Sequence, residues 1–302
     1  MNILVLGAGA IGSLYAAKLA DAHRVTVVAR PEHVEAINRD GLRLVGRESS
    51  THRVTAVTAV ERVPPEALIL LTTKVNDNRR MAAAIRGKTG GGAIVLCIQN
   101  GLGGEDIVRD ALGGEGDQPL VLRAITQFGA IFQEPGVIDY KVAGYTLIEP
   151  SPRSRMVAEL LTESGLDGRV SDDIRIEIWR KLIFNCVINP ITSLLGSEVG
   201  AIADPRLDPI KRRVIDECLA VASREGVTFD VDFVAELTRV FGPSRNIASM
   251  RQDLARGRET EVDFMNGAVV ELGKRHGIEC PVNASLVALI KAMEARVRFV
   301  VP

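Results

Sequence analysis

The first half of the chain alternates short, nearly continuous apolar runs with stretches whose apolar residues fall at helical spacing. Residues 2–6 form such a run and lead straight into glycines, and residues 13–20 then carry apolar side chains on a helical period, which predicts strand, turn and helix. Residues 24–29 (RVTVVA), 67–73 (ALILLTT) and 93–98 (AIVLCI) read as further strands, with helical stretches such as residues 78–86 between them. Strands that are apolar throughout and separated by helices predict a parallel sheet covered on both faces.

From residue 120 to 148 the texture changes to shorter β-rich pieces punctuated by Gly129, Gly136 and Gly144, which reads as an edge extension of the sheet. Residues 151–154 are turn-like and residues 156–164 helical. Past residue 171 the pattern is almost entirely helical, over residues 173–195, 209–225, 231–241, 260–276 and 283–297. A chain of 302 residues exceeds what one hydrophobic core ordinarily serves. The expected organisation is therefore an α/β domain over residues 1–170 followed by an all-α domain over residues 171–302.

Composition narrows the classes. With 46% hydrophobic and 25% charged residues the chain reads as globular, and 37 basic against 38 acidic side chains leave no overall field to gather nucleic acid or an anionic membrane. No apolar run approaches the roughly 18 residues of a membrane span, so a soluble, cytoplasmic protein is expected. Cys97, Cys186, Cys218 and Cys280 form no CxxC pair and read as free thiols of a reducing compartment. The four histidines are scattered, so no metal site is expected.

The first candidate chemistry is Gly7-Ala8-Gly9-Ala10-Ile11-Gly12, a GxGxxG that follows a strand and opens a helix. Gly7 makes the tight turn, Gly9 lets backbone amides approach a pyrophosphate, and Gly12 lets helix and strand pack closely, the requirements of a Rossmann dinucleotide site. Where NAD-specific folds carry a carboxylate about 20 residues further on, for the ribose 2′-hydroxyl, this chain has Ala29-Arg30-Pro31. A guanidinium there suits a 2′-phosphate, so NADP(H) is the expected cofactor, although the same Arg30 also fits a solvated surface position. Lys74 and the Gln99-Asn100-Gly101 stretch follow the ends of two further strands, where they serve either the cofactor crevice or only their loops.

In the helical half, Lys181, Asn185 and Asn189 fall at i, i+4 and i+8, which places an ammonium and two amides on one stripe of a helix whose other residues are largely apolar. Pro190 should end or kink that helix just past Asn189 and leave carbonyls of the preceding turn unpaired. A polar face turned to solvent is the plainer reading of the stripe. A second patch runs from Asn246 through Ser249 and Asp253 to Glu259, Glu261 and Asp263, where the acidic residues also suit the first turn of a helix.

Together, in this order, the GxGxxG, Lys74, Asn100-Gly101, the K-xxx-N-xxx-N-P of Lys181 to Pro190 and the set Ser249, Asp253, Glu261 resemble the ketopantoate reductase (2-dehydropantoate 2-reductase) family over essentially the whole chain. The resemblance implies NADPH-dependent reduction of 2-dehydropantoate to pantoate, towards pantothenate and coenzyme A. It implies Lys181 as general acid and Glu261 as the catalytic-site carboxylate. Asn100, Asn185, Asn189 and Ser249 would orient the substrate, with Asn100 also touching the cofactor ribose, and Asp253 would support its own segment. Some members carry a further substrate-binding Asn past the position of Asn189, but Gly196-Ser197-Glu198-Val199-Gly200 offers none, which leaves the 2-oxo acid open. Reduction or oxidation of another bulky 2-oxo or 2-hydroxy acid is the alternative enzyme, a non-catalytic NADP sensor the alternative of another class. A small 2-oxo acid is thus the expected partner, and a homodimer stays open.

Overall fold

The computed structural model describes residues 1–113 and 118–299, and its main sheet grows outward from the first strand. The elements run β1 (Asn2–Leu6), α1 (Ala10–Ala20), β2 (Arg24–Val28), α2 (Pro31–Asp40), β3 (Leu42–Gly46), β4 (Ser50–His52), β5 (Thr55–Val57), β6 (Leu68–Leu71), α3 (Asn78–Ile85), β7 (Ile94–Cys97) and α4 (Gly104–Leu112). They continue with β8 (Leu120–Thr126), β9 (Gly129–Glu134), β10 (Val137–Val142), β11 (Thr146–Ile148), α5 (Ser154–Glu163) and β12 (Gly168–Val170). The helical half holds α6 (Ile174–Leu194), α7 (Asp208–Arg224), α8 (Phe233–Phe241), α9 (Ser249–Ala255), α10 (Asn266–His276) and α11 (Pro281–Phe299). Two compact units result, one of Met1–Gln99 and Gly103–Ile174, the other of Asn100–Leu102 and Arg175–Pro302.

In the first unit the eight-stranded sheet has the order β12-β11-β8-β7-β6-β1-β2-β5. The six strands from β8 to β5 are parallel, and β11 runs antiparallel to β8. Their order is that of the doubly wound dinucleotide fold, with the topological switch between β1 and β6. Successive side chains of a strand face opposite ways, and the cores divide accordingly. Ile3 and Val5 join Leu14 and Leu19 of α1 and Val157 and Leu161 of α5, whereas Leu4 and Leu6 join Met81 and Ile85 of α3 and Val108 of α4.

The expected edge extension is only half of what residues 120–148 form. β8 and β11 belong to the main sheet, but β9 and β10 leave it for a second sheet of order β4-β3-β10-β9. The turn between them needs Gly136, at φ +81°, whose amide donates to Nδ1 of His33 at 2.8 Å. With Nδ1 accepting, Nε2 carries the ring proton and donates to the Ser13 hydroxyl at 3.1 Å. A neutral imidazole thereby ties α1, α2 and the β9–β10 turn.

The helical unit packs around α6, whose Trp179, Leu182, Ile183, Cys186 and Val187 are buried with Val214, Cys218, Val269 and Ile290. Arg180 grips both carboxylate oxygens of Glu236 on α8, at 3.1 and 2.9 Å. Pro190 does not end the helix, which continues to Leu194. The carbonyl that loses its partner is that of Cys186, four residues back, and the buried Asn266 supplies a side-chain N–H to it at 2.9 Å. Thr192 adds a hydroxyl bond to the Ile188 carbonyl at 2.7 Å. The expected helix over residues 260–276 is also interrupted: Val262–Phe264 is a 3-10 turn, and α10 begins after Met265, whose φ −108° and ψ −99° break the helical path. Among the described residues no helix is long and apolar enough to cross a membrane.

Burial holds the pKa of His33 down from 6.5 to about 4. The unfolded chain therefore takes up this proton more readily than the folded one, and the contribution of the neutral ring is complete above pH 6.5 and lost as pH falls towards 4. Urea unfolding across this window should show wild-type stability falling more steeply than that of His33→Gln; parallel curves would exclude the role given to the ring.

Candidate active site

The glycine turn at the end of β1 is built by exclusion of volume. Gly7 stands at φ +101°, and a Cβ there would lie 2.8 Å from the Thr73 amide nitrogen. A Cβ on Gly12 would overlap the Gly7 carbonyl oxygen and the Thr72 hydroxyl. A Cβ on Gly9 would meet nothing within 4 Å. The three glycines thus differ: the first and last are required by the chain's own packing, while the middle one keeps open a space that the fold does not use.

Around that space the amides of Gly7 and Ala8 both donate to the Val28 carbonyl at 3.2 Å, fixing the exit of β1 against the end of β2. The Thr72 hydroxyl donates to the Gly7 carbonyl at 2.8 Å and pins the turn to the end of β6, across the topological switch. α1 starts at Ala10 with Gly9 as its cap, no side chain bonds its first amides, and its first turn holds no acidic residue. Ala10, Ile11 and Gly12 therefore present a helix N-terminus suited to an anion. Arg30 is exposed past the end of β2, and its carbonyl accepts from the amides of His33 and Val34 at the start of α2, both at 3.0 Å. Lys74, half-buried, precedes the 3-10 turn Val75–Asp77 beyond β6. This donor set fits a dinucleotide: open backbone space beside a helix N-terminus for the pyrophosphate, with the Arg30 guanidinium exposed past the second strand.

Behind these loops lies a support that the motifs did not reveal. Gln99 donates to the Thr73 carbonyl at 2.7 Å and exchanges hydrogen bonds with the fully buried Asn78, whose Nδ2 also holds the Gly104 carbonyl at 2.8 Å. Arg123, only 3% exposed, donates to the Gln99 carbonyl at 2.7 Å. A charged residue in a β-rich run gives a sequence-level hint of such a role, since buried charges need fixed partners.

In the helical unit the segment Thr260 to Asn266 gathers contacts from every side. The fully buried Thr260 is held through its amide, at 2.8 Å, and its hydroxyl, at 2.7 Å, by Glu294 of α11. Glu261 lies 3.4 Å from the Asn100 amide nitrogen, at the long end of hydrogen-bond range. The Phe264 carbonyl accepts from Leu102 at 3.0 Å, an approach so close that a Cβ on Gly101 would overlap the same oxygen. Asn189, 5% exposed, donates to the Met265 sulfur at 3.4 Å. Lys181 and Asn185 stand half-buried on α6, on the stripe that ends at Asn189.

Of the residues expected to act together, Asn100 and Glu261 meet directly and Asn189 reaches the same turn. Glu261 precedes a 3-10 turn, not an α-helix. Ser249 is exposed at the start of α9, a separate element. The Asp253 carbonyl accepts from Arg256 and Arg258, at 3.0 and 2.9 Å, and closes its own segment. The four cysteines are free and buried, and burial raises the Cys97 and Cys280 thiols to about 12 and about 11, which leaves them unreactive.

The contrast among the glycines is testable. Gly9→Ala should keep the wild-type melting temperature and weaken dinucleotide binding in a fluorescence titration, whereas Gly12→Ala should lower the melting temperature. A destabilised Gly9→Ala, or a Gly12→Ala as stable as wild type, would contradict the geometry.

Both parts of the chain match known proteins. Residues 3–153 match ketopantoate reductase PanE/ApbA, and residues 173–294 match ketopantoate reductase PanE/ApbA C terminal. A 2-dehydropantoate 2-reductase of Pyrococcus horikoshii is 37% identical, with 98% of each chain covered, and one of Archaeoglobus fulgidus is 34% identical over 97% of this chain and 98% of its own. Among solved structures, a PanE/ApbA family ketopantoate reductase from Ralstonia eutropha superposes with TM-score 0.90 at 32% identity, covering 98% of this chain and 99% of that one. D-mandelate dehydrogenase with NADH and anilino(oxo)acetate also superposes with TM-score 0.90, at 27% identity over 99% of this chain and all of that one. The glycine turn, the α6 stripe and the Asn100–Glu261 pair are thus features of a chain that belongs to the ketopantoate reductase family.

Proposed function

We propose that this protein reduces 2-dehydropantoate to pantoate with NADPH, as a cytoplasmic step towards pantothenate and coenzyme A. The observation that carries the reading is the 37% identity, over 98% of both chains, to a protein named 2-dehydropantoate 2-reductase. The glycine turn and the uncapped start of α1 hold the pyrophosphate, and Arg30 takes the ribose 2′-phosphate. The bound cofactor supplies a hydride to the ketone carbon. Negative charge then grows on the carbonyl oxygen, where the Lys181 ammonium stabilises it and delivers the proton. Asn185, Asn189 and Ser249 offer neutral donors to the substrate carboxylate and hydroxyl. Glu261 accepts a hydrogen bond from the substrate hydroxyl and orients the Asn100 side-chain amide, 3.4 Å away.

A second reading is favoured by one observation, the 0.90 TM-score with D-mandelate dehydrogenase: NAD-linked interconversion of an aromatic 2-oxo acid on the same scaffold. NADPH and NADH oxidation against a panel containing 2-dehydropantoate and phenylglyoxylate separates the two. Highest kcat/KM for 2-dehydropantoate with NADPH is expected, and a preference for phenylglyoxylate with NADH would overturn the proposal.

Two substitutions test the assignments. Arg30→Ala should weaken NADPH binding by about tenfold, some 1.4 kcal/mol, and leave NADH nearly unchanged; an equal loss for both would make Arg30 structural. Lys181→Ala should lower kcat by roughly 10² to 10⁴, the usual scale of general acid catalysis, while NADPH still binds. A near-normal kcat would remove the proton donor from the mechanism.

A further inference from the structure

A helix that continues through a proline leaves a carbonyl without its usual donor, and in α6 that carbonyl lies in the turn between Asn185 and Asn189. The acceptor is the Cys186 oxygen, next in the chain to Asn185 and four residues before Pro190. Asn266, fully buried, donates to it at 2.9 Å and gives its second N–H to Oδ1 of Asn283, also at 2.9 Å.

The orientation of both amides is fixed from behind. Glu217 of α7 accepts the backbone amides of Val282 and Asn283 at the start of α11, each at 2.9 Å, and Nδ2 of Asn283 at 2.7 Å. With its Nδ2 committed to a carboxylate, Asn283 must turn Oδ1 towards Asn266, and Asn266 must then turn Nδ2 towards both oxygens. This orientation holds although it leaves Oδ1 of Asn266 without a hydrogen-bond partner among the described residues. The donation to Cys186 is therefore imposed by a chain of four groups on α7, α11, α10 and α6.

We infer that Asn266 is a positioning residue: its side-chain amide replaces the missing N–H of Pro190 and fixes the turn of α6 that carries Asn185 and Asn189 relative to Glu261. Asn266 lies five residues beyond Glu261, past a turn anchored by Glu294 and Leu102. One rigid segment thus sets the carboxylate and, through the Cys186 carbonyl, the amide stripe. Without that amide the buried oxygen must seek another donor, and α6 can only reach one by bending at Pro190. Displacements of about 1 Å at reacting groups are enough to cost turnover severely. The inference rests on the proposed reductase function for its kinetic readout.

The experiment compares wild type, Asn266→Leu, Pro190→Ala and the double variant, measuring kcat for 2-dehydropantoate, NADPH affinity and melting temperature. Pro190→Ala restores a backbone N–H four residues after Cys186, so it makes the Asn266 amide dispensable. Asn266→Leu should lose tenfold or more in kcat, a barrier change of about 1.4 kcal/mol, with NADPH affinity unchanged. Pro190→Ala should stay near wild type, and the double variant should recover most of the lost kcat. A double variant no better than Asn266→Leu, or an Asn266→Leu enzyme with wild-type kcat, would overturn the inference. If Asn266→Leu fails to fold, a folded and active double variant supports the replacement of the missing N–H, and a double variant that also fails to fold refutes it. A wild type inert towards every 2-oxo acid with either cofactor would instead overturn the functional reading itself, and the positioning role with it.

Discussion

A proline inside a buried helix forces the surrounding structure to provide what the helix cannot. In this protein the need is one donor for the Cys186 carbonyl, and Asn266 provides it from the start of α10 at 2.9 Å. Immediately before Asn266 the chain leaves the helical path at Met265, with φ −108° and ψ −99°. The turn so formed presents Glu261 beside Asn100 and lets Asn189 reach the Met265 sulfur. A buried, unpaired carbonyl costs about 1–3 kcal/mol, a large part of the margin by which domains are stable, so the arrangement is selected energetically as well as geometrically.

The dinucleotide unit solves a different problem, the close approach of backbone to backbone. At Gly7 and Gly12 the limits come from Thr73, Thr72 and the Gly7 carbonyl, and the Thr72 hydroxyl converts the crowding into a bond across the switch between β1 and β6. Only at Gly9 is the space left for something outside the chain. The difference separates glycines required by the packing of the fold from one at which the fold leaves space open. Under them the Gln99–Asn78 pair and the buried Arg123 hold the ends of β6 and β7, so the loops that face a cofactor rest on satisfied polar groups and not on apolar packing alone.

What could be read from the sequence is what depends on near neighbours. The GxGxxG turn, the apolar strands on either side of it, Arg30 at the end of β2 and the four-residue spacing of Lys181, Asn185 and Asn189 are all local geometry. The short strands β3, β4 and β5 were not legible, because three to five residues of mixed polarity carry little periodicity. Nor was the departure of β9 and β10 from the main sheet, which depends on pairing with β3 almost 100 residues earlier. Pro190 is the instructive case. Local rules predict an end or a kink with a carbonyl left unpaired; the helix instead continues to Leu194, and the donor that compensates that carbonyl is 80 positions away along the chain. The Asn100–Glu261 contact, across 161 positions, leaves no mark in the spacing of either residue.

In the proposed reaction this chain moves a hydride from the nicotinamide to the ketone carbon of a 2-oxo acid. The direct measurement follows the label: 2-dehydropantoate is incubated with the protein and NADPH dideuterated at C4 of the nicotinamide, and the product is examined by mass spectrometry and NMR. Pantoate carrying one deuterium, at C2, and formed in proportion to the NADPH consumed is the expected product. Pantoate without the label, or NADPH and 2-dehydropantoate left unchanged together, would contradict the proposed reaction.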